Sequence, residues 1–176
     1  MSDDSLRAYA REKRFSAATV ERWLTAEDTD RRALLCLATE LRLGENQFRD
    51  VFDLLQDIAA RRGYGIAEVL ADRPVAAVMH TPAGRSDKIK ALKAVLRRLR
   101  YPQLAAVEKR LDELRRQLGL SQGIVFELPQ NLEGESISIR FSGRSAVELR
   151  GHASALVAAL QKEQVEEMFR ILEGGW

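Results

Sequence analysis

The sequence predicts a mainly α-helical protein with one small antiparallel hairpin, and three observations lead there. Apolar residues recur at spacings of three and four through most of the chain, the period of helices that bury one face. Two short segments instead alternate strictly: Ile124, Phe126 and Leu128 around Val125 and Glu127, then Ile137, Ile139 and Phe141 around Ser138 and Arg140. Alternation is the mark of half-buried strands. The third observation is a regular seam just before them. Leu104, Val107, Leu111, Leu114 and Leu118 follow at three, four, three and four residues, as in a helix that lies along a partner.

The elements follow in order. Residues 1–15 are rich in charge, with Arg7, Arg11, Lys13 and Arg14, and predict a loose helix at most. Ser16 can cap a helix carrying Val20, Trp23 and Leu24. Thr29 and Asp30 open the next, with Ala33, Leu34, Leu37, Ala38 and Leu41 inward and Gly44 ending it. Phe48, Val51, Phe52, Leu55 and Ile58 define a long helix over 45–62, followed by a short one over 66–70 and an apolar turn over 75–79. Residues 16–80 therefore read as a bundle of four or five short helices. Pro82 and Gly84 mark a linker. Ser86 can cap a helix with Ile89, Leu92, Leu96 and Leu99 inside, and Pro102 starts the seam helix. Asn131 and Gly134 bracket the hairpin loop. Ser145 and Glu148 form a capping box for a helix to about 160. Val165, Met168, Phe169 and Leu172 line a last amphipathic helix, and Gly174, Gly175 and Trp176 form a tail.

Composition narrows the function classes. The chain is 45% apolar and 31% charged, with a net charge of only +2. The distribution is uneven. Residues 81–118 hold eleven basic and four acidic side chains, an excess of seven, so the remainder carries −5. Such asymmetry suggests a face made for a polyanion. The single cysteine, Cys36, lies in an apolar run and is expected to be a buried small hydrophobe in a reducing compartment. The polar, acidic start does not resemble a secretion signal, and no apolar run approaches the ~18 residues of a membrane span. A cytoplasmic protein with no membrane partner is expected.

Lys88, Lys90, Lys93, Arg97, Arg98 and Arg100, with Arg85 beside them, read as a phosphate-binding stripe or as a solvated helix face. Tyr101 follows and can stack on a base or on its own domain. Asn46, Gln47 and Arg49 open the 45–62 helix, and these are side chains that read base edges. His80 and His152 stand alone, with no second His or Cys at ligand spacing. No nucleophile is paired with a base along the sequence and no glycine-rich phosphate loop is present. A non-enzymatic protein without cofactor or metal is expected.

The seam residues from Leu104 to Leu118 with Gly119, the segment Gly134-Glu135-Ser136-Ile137-Ser138-Ile139, and Ser145 to Leu149 together resemble the C-terminal dimerisation domain of ParB-type chromosome and plasmid partition proteins. The resemblance covers about a third of the chain; 16–80 is more weakly similar to that family's helix-turn-helix-bearing middle domain. It implies a homodimer built from a helix-strand-strand-helix unit, DNA as a partner and a place at the nucleoid. The family's nucleotide-binding N-terminal domain has no counterpart here, so its CTP chemistry is not carried over. The resulting expectation has four parts: a charged segment 1–15, a helical bundle 16–80, a basic linker helix 81–101 and a dimerisation unit 102–176. Leu104, Val107, Leu111, Leu114, Leu118, Ile137, Ile139 and Phe141 would form the dimer interface. The alternative is a dimeric adaptor whose 16–80 bundle docks a protein partner.

Overall fold

The computed structural model describes residues 3–129 and 136–174. Asn131, Gly134 and Glu135, expected in the hairpin loop, lie outside the described residues, as do Gly175 and Trp176 of the tail. The fold is mainly α with a two-stranded antiparallel sheet, as predicted. The chain divides at residue 102 into two units, 1–102 and 103–176.

The first unit is built from α1 (Asp3–Glu12), α2 (Ala17–Leu24), α3 (Asp28–Glu40), α4 (Glu45–Arg62), α5 (Ile66–Ala71), α6 (Arg73–His80) and α7 (Arg85–Arg100). Its core joins Trp23, Leu34, Phe48, Phe52 and Leu55 to side chains from every other helix of the unit. Two expectations change here. The charged segment 1–15 is an ordered helix, because Leu6, Tyr9 and Ala10 face inward while its charges face out. The stretch 81–101 is no linker, because Ile89, Leu92 and Leu96 of α7 belong to the same core. The turn expected over 75–79 is helical too, with Pro74 placed in the first turn of α6 where its missing N–H costs nothing.

The helix ends differ from expectation in several places. Gly44 does not end α3. Arg42 takes the left-handed conformation there, φ 46°, and Leu43 N–H donates to the Ala38 carbonyl at 2.9 Å. That six-to-one bond packs Leu43 against Ala38, which offsets a non-glycine at positive φ. Gly44 instead precedes α4 as its N-cap. Arg14, φ 57°, ends α1 the same way, with Phe15 N–H donating to Ala10. Helix α3 starts at Asp28 and not at Asp30. Asp30 turns inward and accepts from Ala67 N–H at 2.8 Å, so it satisfies the start of α5 across the unit. Gly65 leaves room for this carboxylate: an added Cβ would stand 3.0 Å from Asp30 Oδ1, and the side chain would have to shift by a few tenths of an ångström. Likewise α7 starts at Arg85 with Gly84 as its cap, and Ser86 lies inside it.

Ser16 does cap α2, accepting from Thr19 N–H. It also anchors that cap to α4. One oxygen of Glu45, Oε1, accepts from Ser16 Oγ at 2.5 Å, Thr19 Oγ1 at 2.6 Å and Ser16 N–H at 3.0 Å.

The second unit comprises α8 (Pro102–Gln117), β1 (Ile124–Glu127), β2 (Ser138–Phe141), α9 (Ala146–Leu160) and α10 (Glu163–Leu172). The strands pair with Phe126 opposite Ile139 and Val125 opposite Arg140; Arg140 also bridges to Glu127. Val107, Leu111, Leu114 and Leu118 of the α8 seam pack on Phe126, Ala159, Val165 and Met168. The Arg110–Glu167 ion pair, 2.7 Å, ties α8 to α10 at the surface, and Lys162 donates to the Leu118 carbonyl at the end of α8. Ser145 caps α9 by accepting from Glu148 N–H, while the Glu148 carboxylate accepts from Arg144 N–H.

Glu45 yields a prediction for acid stability. Its three donors, the Ser16 hydroxyl foremost and then the Thr19 hydroxyl, hold its carboxyl below the ordinary value of 4.5. A carboxylate depressed in the folded state stabilises above the unfolded value and loses that contribution as pH falls through the folded one. The unfolding midpoint in urea should therefore drop as pH passes below about 4.5. Glu45→Gln should be less stable at neutral pH and show a shallower acid limb. Parallel limbs in the two proteins would contradict this.

Candidate binding faces

The basic stripe predicted on α7 is largely consumed inside its own unit. Arg85 donates to the Leu41 carbonyl at 2.6 Å, to the Arg42 carbonyl at 2.8 Å and to Gln47 at 3.1 Å. It closes the end of α3, where unpaired carbonyls and the negative helix terminus favour a cation. Lys88 donates to the Met79 carbonyl at 2.6 Å and stands 3.9 Å from Glu40. Lys93 pairs with Asp50 at 2.6 Å, and Arg100 pairs with Asp57 at 2.5 Å while its guanidinium covers the Tyr101 ring. Tyr101 is thus stacked by its own neighbour. Lys90, Arg97 and Arg98 are left exposed. They lie at i, i+7 and i+8 on one face of the helix, and none has a carboxylate within ion-pair distance among the described residues. The expected seven-residue stripe contracts to these three.

Helix α4 departs further from the expectation. Phe48, Val51, Phe52, Leu54, Leu55, Ile58 and Ala59 are all buried, which makes it the central helix of the unit. Its remaining face carries Asp50, Asp53 and Asp57, paired with Lys93, Arg22 and Arg100. Gln47 accepts from Arg85, leaving Asn46 and Arg49 exposed at the first turn. An aspartate-lined helix set in a core is poorly suited to lie against phosphates.

The predicted interface residues are also redistributed. Val107, Leu111, Leu114 and Leu118 are buried against their own unit, and Leu104, Ile137 and Ile139 are half-buried, the two isoleucines on the same cluster. Of the eight, only Phe141 stays exposed, at 39%. Helix α10 covers the seam, which therefore needs no second copy to bury it. The open apolar surface lies elsewhere in the unit, at Val147 (71% exposed), Val157 (58%), Leu149, Leu160 and Phe169. Within α9 only Ala159 is buried. Its outer face runs Val147, Gly151, Ser154, Ala155 and Ala158, all exposed and at spacings of four, three, one and three. The signal for this face was in the sequence, since 153–160 is apolar on every side but for Ser154, and such a stretch normally finds more than one partner.

Three smaller findings complete the survey. Cys36 is exposed, not buried; Leu35 and Leu37 take the inward positions beside it. It lines a groove of about 590 Å³ between α1 and α3 with Ala8, Tyr9, Leu35, Thr39, Glu12 and Glu40. His152 and Ser121, distant in sequence, meet: Ser121 Oγ lies 3.1 Å from His152 Nδ1. The imidazole is pressed on Gly123, where an added Cβ would fall 2.5 Å from Nε2, and that nitrogen is buried 3.9 Å from Glu148. The pair joins the 119–123 loop to α9, and it brings together a hydroxyl and an imidazole that the sequence keeps 31 residues apart. Among the described residues no group of three His, Cys, Asp or Glu stands together to hold a metal. No helix among them is long and apolar enough to cross a membrane.

Arg85 and Arg97 should behave differently when removed. Arg85→Ala takes away one partly buried and one exposed bond from a charged donor to helix-end carbonyls and should lower stability by about 1 kcal/mol. Arg97→Ala should change it by less than about 0.5 kcal/mol, as surface substitutions do. Urea melts of the two variants check the assignment, and equal losses would refute it. In comparisons with family models, curated proteins and solved structures, nothing matches this chain.

Proposed function

We propose that this chain is a non-enzymatic homodimeric DNA-binding protein of partition or nucleoid-associated type, two copies joined through α9 and contacting duplex phosphates with Lys90, Arg97 and Arg98. The observation that carries the dimer is the exposed surface of α9, where Val147, Gly151, Ala155, Val157 and Ala158 lie around Ser154 and Arg150. Small side chains let two helices approach closely, so dispersion contacts and burial of Val147 and Val157 add together. A two-fold pairing of identical faces closes without leaving an edge. The order α8, β1, β2, α9 is the order that the resemblance to ParB-type proteins implies, which supports the same reading. The DNA contact rests on three exposed cations on one helical face that no carboxylate among the described residues neutralises. Such a protein would act in the cytoplasm, at the nucleoid.

The alternative, a dimeric adaptor, is favoured by one observation: the groove between α1 and α3, with an apolar floor at Ala8, Tyr9 and Leu35. Its size is that of a site for a few side chains of a protein partner.

Light scattering at micromolar concentration should give twice the 19.8 kDa of one chain. Val147→Asp with Val157→Asp should return a single-chain mass with an unchanged helical spectrum, since both side chains are at the surface. Leu111→Asp should instead unfold the second unit, because a carboxylate buried at a fully enclosed position costs more than ~3 kcal/mol. A single-chain mass for the unmutated protein would end the dimer proposal.

Binding to duplex DNA should fall with salt and vary little with sequence. Replacing Lys90, Arg97 and Arg98 with alanine should flatten the slope of log K against log salt by about 0.9 for each phosphate no longer neutralised. Replacing Lys93 and Arg100 should leave that slope unchanged. No mobility shift at low salt would remove DNA from the proposal and leave the adaptor.

A further inference from the structure

Tyr101 stands at the end of α7, and one face of its ring is already occupied. The Arg100 guanidinium covers that face, 4.8 Å from the ring centroid. Asp57 of α4 holds the same guanidinium at 2.5 Å, so the cation on the ring is fixed in place. Arg61, also of α4, donates to the carbonyls of Leu99 and Arg100 and fixes the backbone that carries the tyrosine. The second face of the ring is different. Among the described residues no other ring lies against it and the hydroxyl makes no hydrogen bond, and the residue is 44% exposed. All of these residues belong to the first unit. Tyr101 also lies in line with the exposed cations. Its N–H donates to the Arg97 carbonyl at 2.9 Å, so it follows Arg97 by one turn on the same side. Lys90, Arg97 and Tyr101 thus share one face over about 16 Å, with Arg98 beside them. The exposed residue between Lys90 and Arg97 on that face is Ala94, too short to screen the row.

From this row of cations ending in a ring we infer that the α7 face takes single-stranded nucleic acid, with phosphates on Lys90, Arg97 and Arg98 and an unpaired base stacked on the open face of Tyr101. The base contact rests on the phosphate contact proposed above and adds to it. A base inside a duplex has its faces covered by its neighbours, and freeing it costs unstacking energy; an unpaired base brings its face at no such cost. Every base has a π-face, so the site selects for strandedness and not for sequence. The pair of α4 residues matters here. Asp57 and Arg61 order the guanidinium and the backbone before any ligand arrives, so less freedom is lost when the base lands.

The test uses the full chain and a fluorescent oligothymidylate of about eight nucleotides, with anisotropy at low salt as the readout. Tyr101→Ala should weaken binding of the single strand by about tenfold, the loss of one base stack, and leave binding of a blunt duplex unchanged. Tyr101→Phe keeps the ring and should bind as the unmutated protein does. A strand of the same length with every base removed keeps its phosphates and leaves the protein untouched. The unmutated protein should bind it at least about tenfold more weakly than the thymidylate, and Tyr101→Ala should weaken it no further. Replacing Lys90, Arg97 and Arg98 with alanine should weaken single strand and duplex alike. Equal binding of the thymidylate and the baseless strand by the unmutated protein would overturn the inference. So would the absence of thymidylate binding by the folded protein. If the duplex binds and Tyr101→Ala weakens neither ligand, the phosphate contact stands and the base contact falls. If the thymidylate binds through Tyr101 and the duplex does not bind, the base contact stands and the duplex reading falls.

Discussion

Short helices leave many carbonyls without partners, and meeting that demand shapes this molecule more than any other single requirement. Each helix C-terminus leaves up to four acceptors open, and the ten helices among the described residues have many such ends to satisfy. Side chains distant in sequence answer it. Arg85 and the Tyr9 hydroxyl serve the end of α3; Arg61 reaches the carbonyls of Leu99 and Arg100 at the end of α7. Lys88 serves α6 and Lys162 serves α8. A cation at a helix C-terminus gains from both the bond and the terminal charge, by about 0.3–1 kcal/mol in exposed settings. This accounts for Arg85 and Lys88 of α7, while Lys93 and Arg100 are held by aspartates of α4. It also explains the ordering of α1: Tyr9 cannot reach Ala38 and Leu43 unless that helix is docked. Burial raises the Tyr9 phenol pKa above its usual value, so the hydroxyl remains a donor across the ordinary pH range.

The second unit faces a different constraint, a shortage of core. Among the described residues eight buried side chains form its centre, and α9 contributes one of them. A two-stranded sheet is marginal alone, so α8 and α10 must clamp it. They do so through the seam, and they exhaust the seam in doing it. What remains apolar is then the outer surface of α9, whose association would supply burial that the isolated unit lacks. In that arrangement self-association adds to the stability of a second unit that already holds a small core of its own.

How much of this was legible in the sequence depends on the range of the interaction. Helical faces were legible, because spacing of three and four decides which side chains of α3, α4 and α7 turn inward. The caps at Ser16 and Ser145 were legible, since donor and acceptor lie three residues apart. The presence of the two strands followed from alternation, while their register did not. Arg85 was misassigned because its partners are 43 and 44 residues away and leave no local trace. The same holds for Asp30 with Ala67, and for Ser121 with His152. Cys36 is another matter: it stands two residues from Leu34, nearly opposite on the helix, and the period alone places it outward. The seam was identified correctly as apolar but given the wrong partner, since spacing reports that a face is buried and not what buries it.

Pairing and phosphate contact depend on each other in the proposed function. Three cations on a chain are few for nucleic acid; each phosphate contact contributes a salt-dependent increment of about 0.9 in the logarithmic slope, and three give weak, easily displaced binding. Joining two chains makes the second set of contacts intramolecular, so its cost in translational freedom is already met by the first. Affinity then rises steeply with association while the contact made by each chain stays the same. A protein that spends several of its basic side chains on its own helix ends can therefore still hold a polyanion, provided that α9 brings two copies together. The cations of the first unit and the apolar side chains of the second are coupled through stoichiometry.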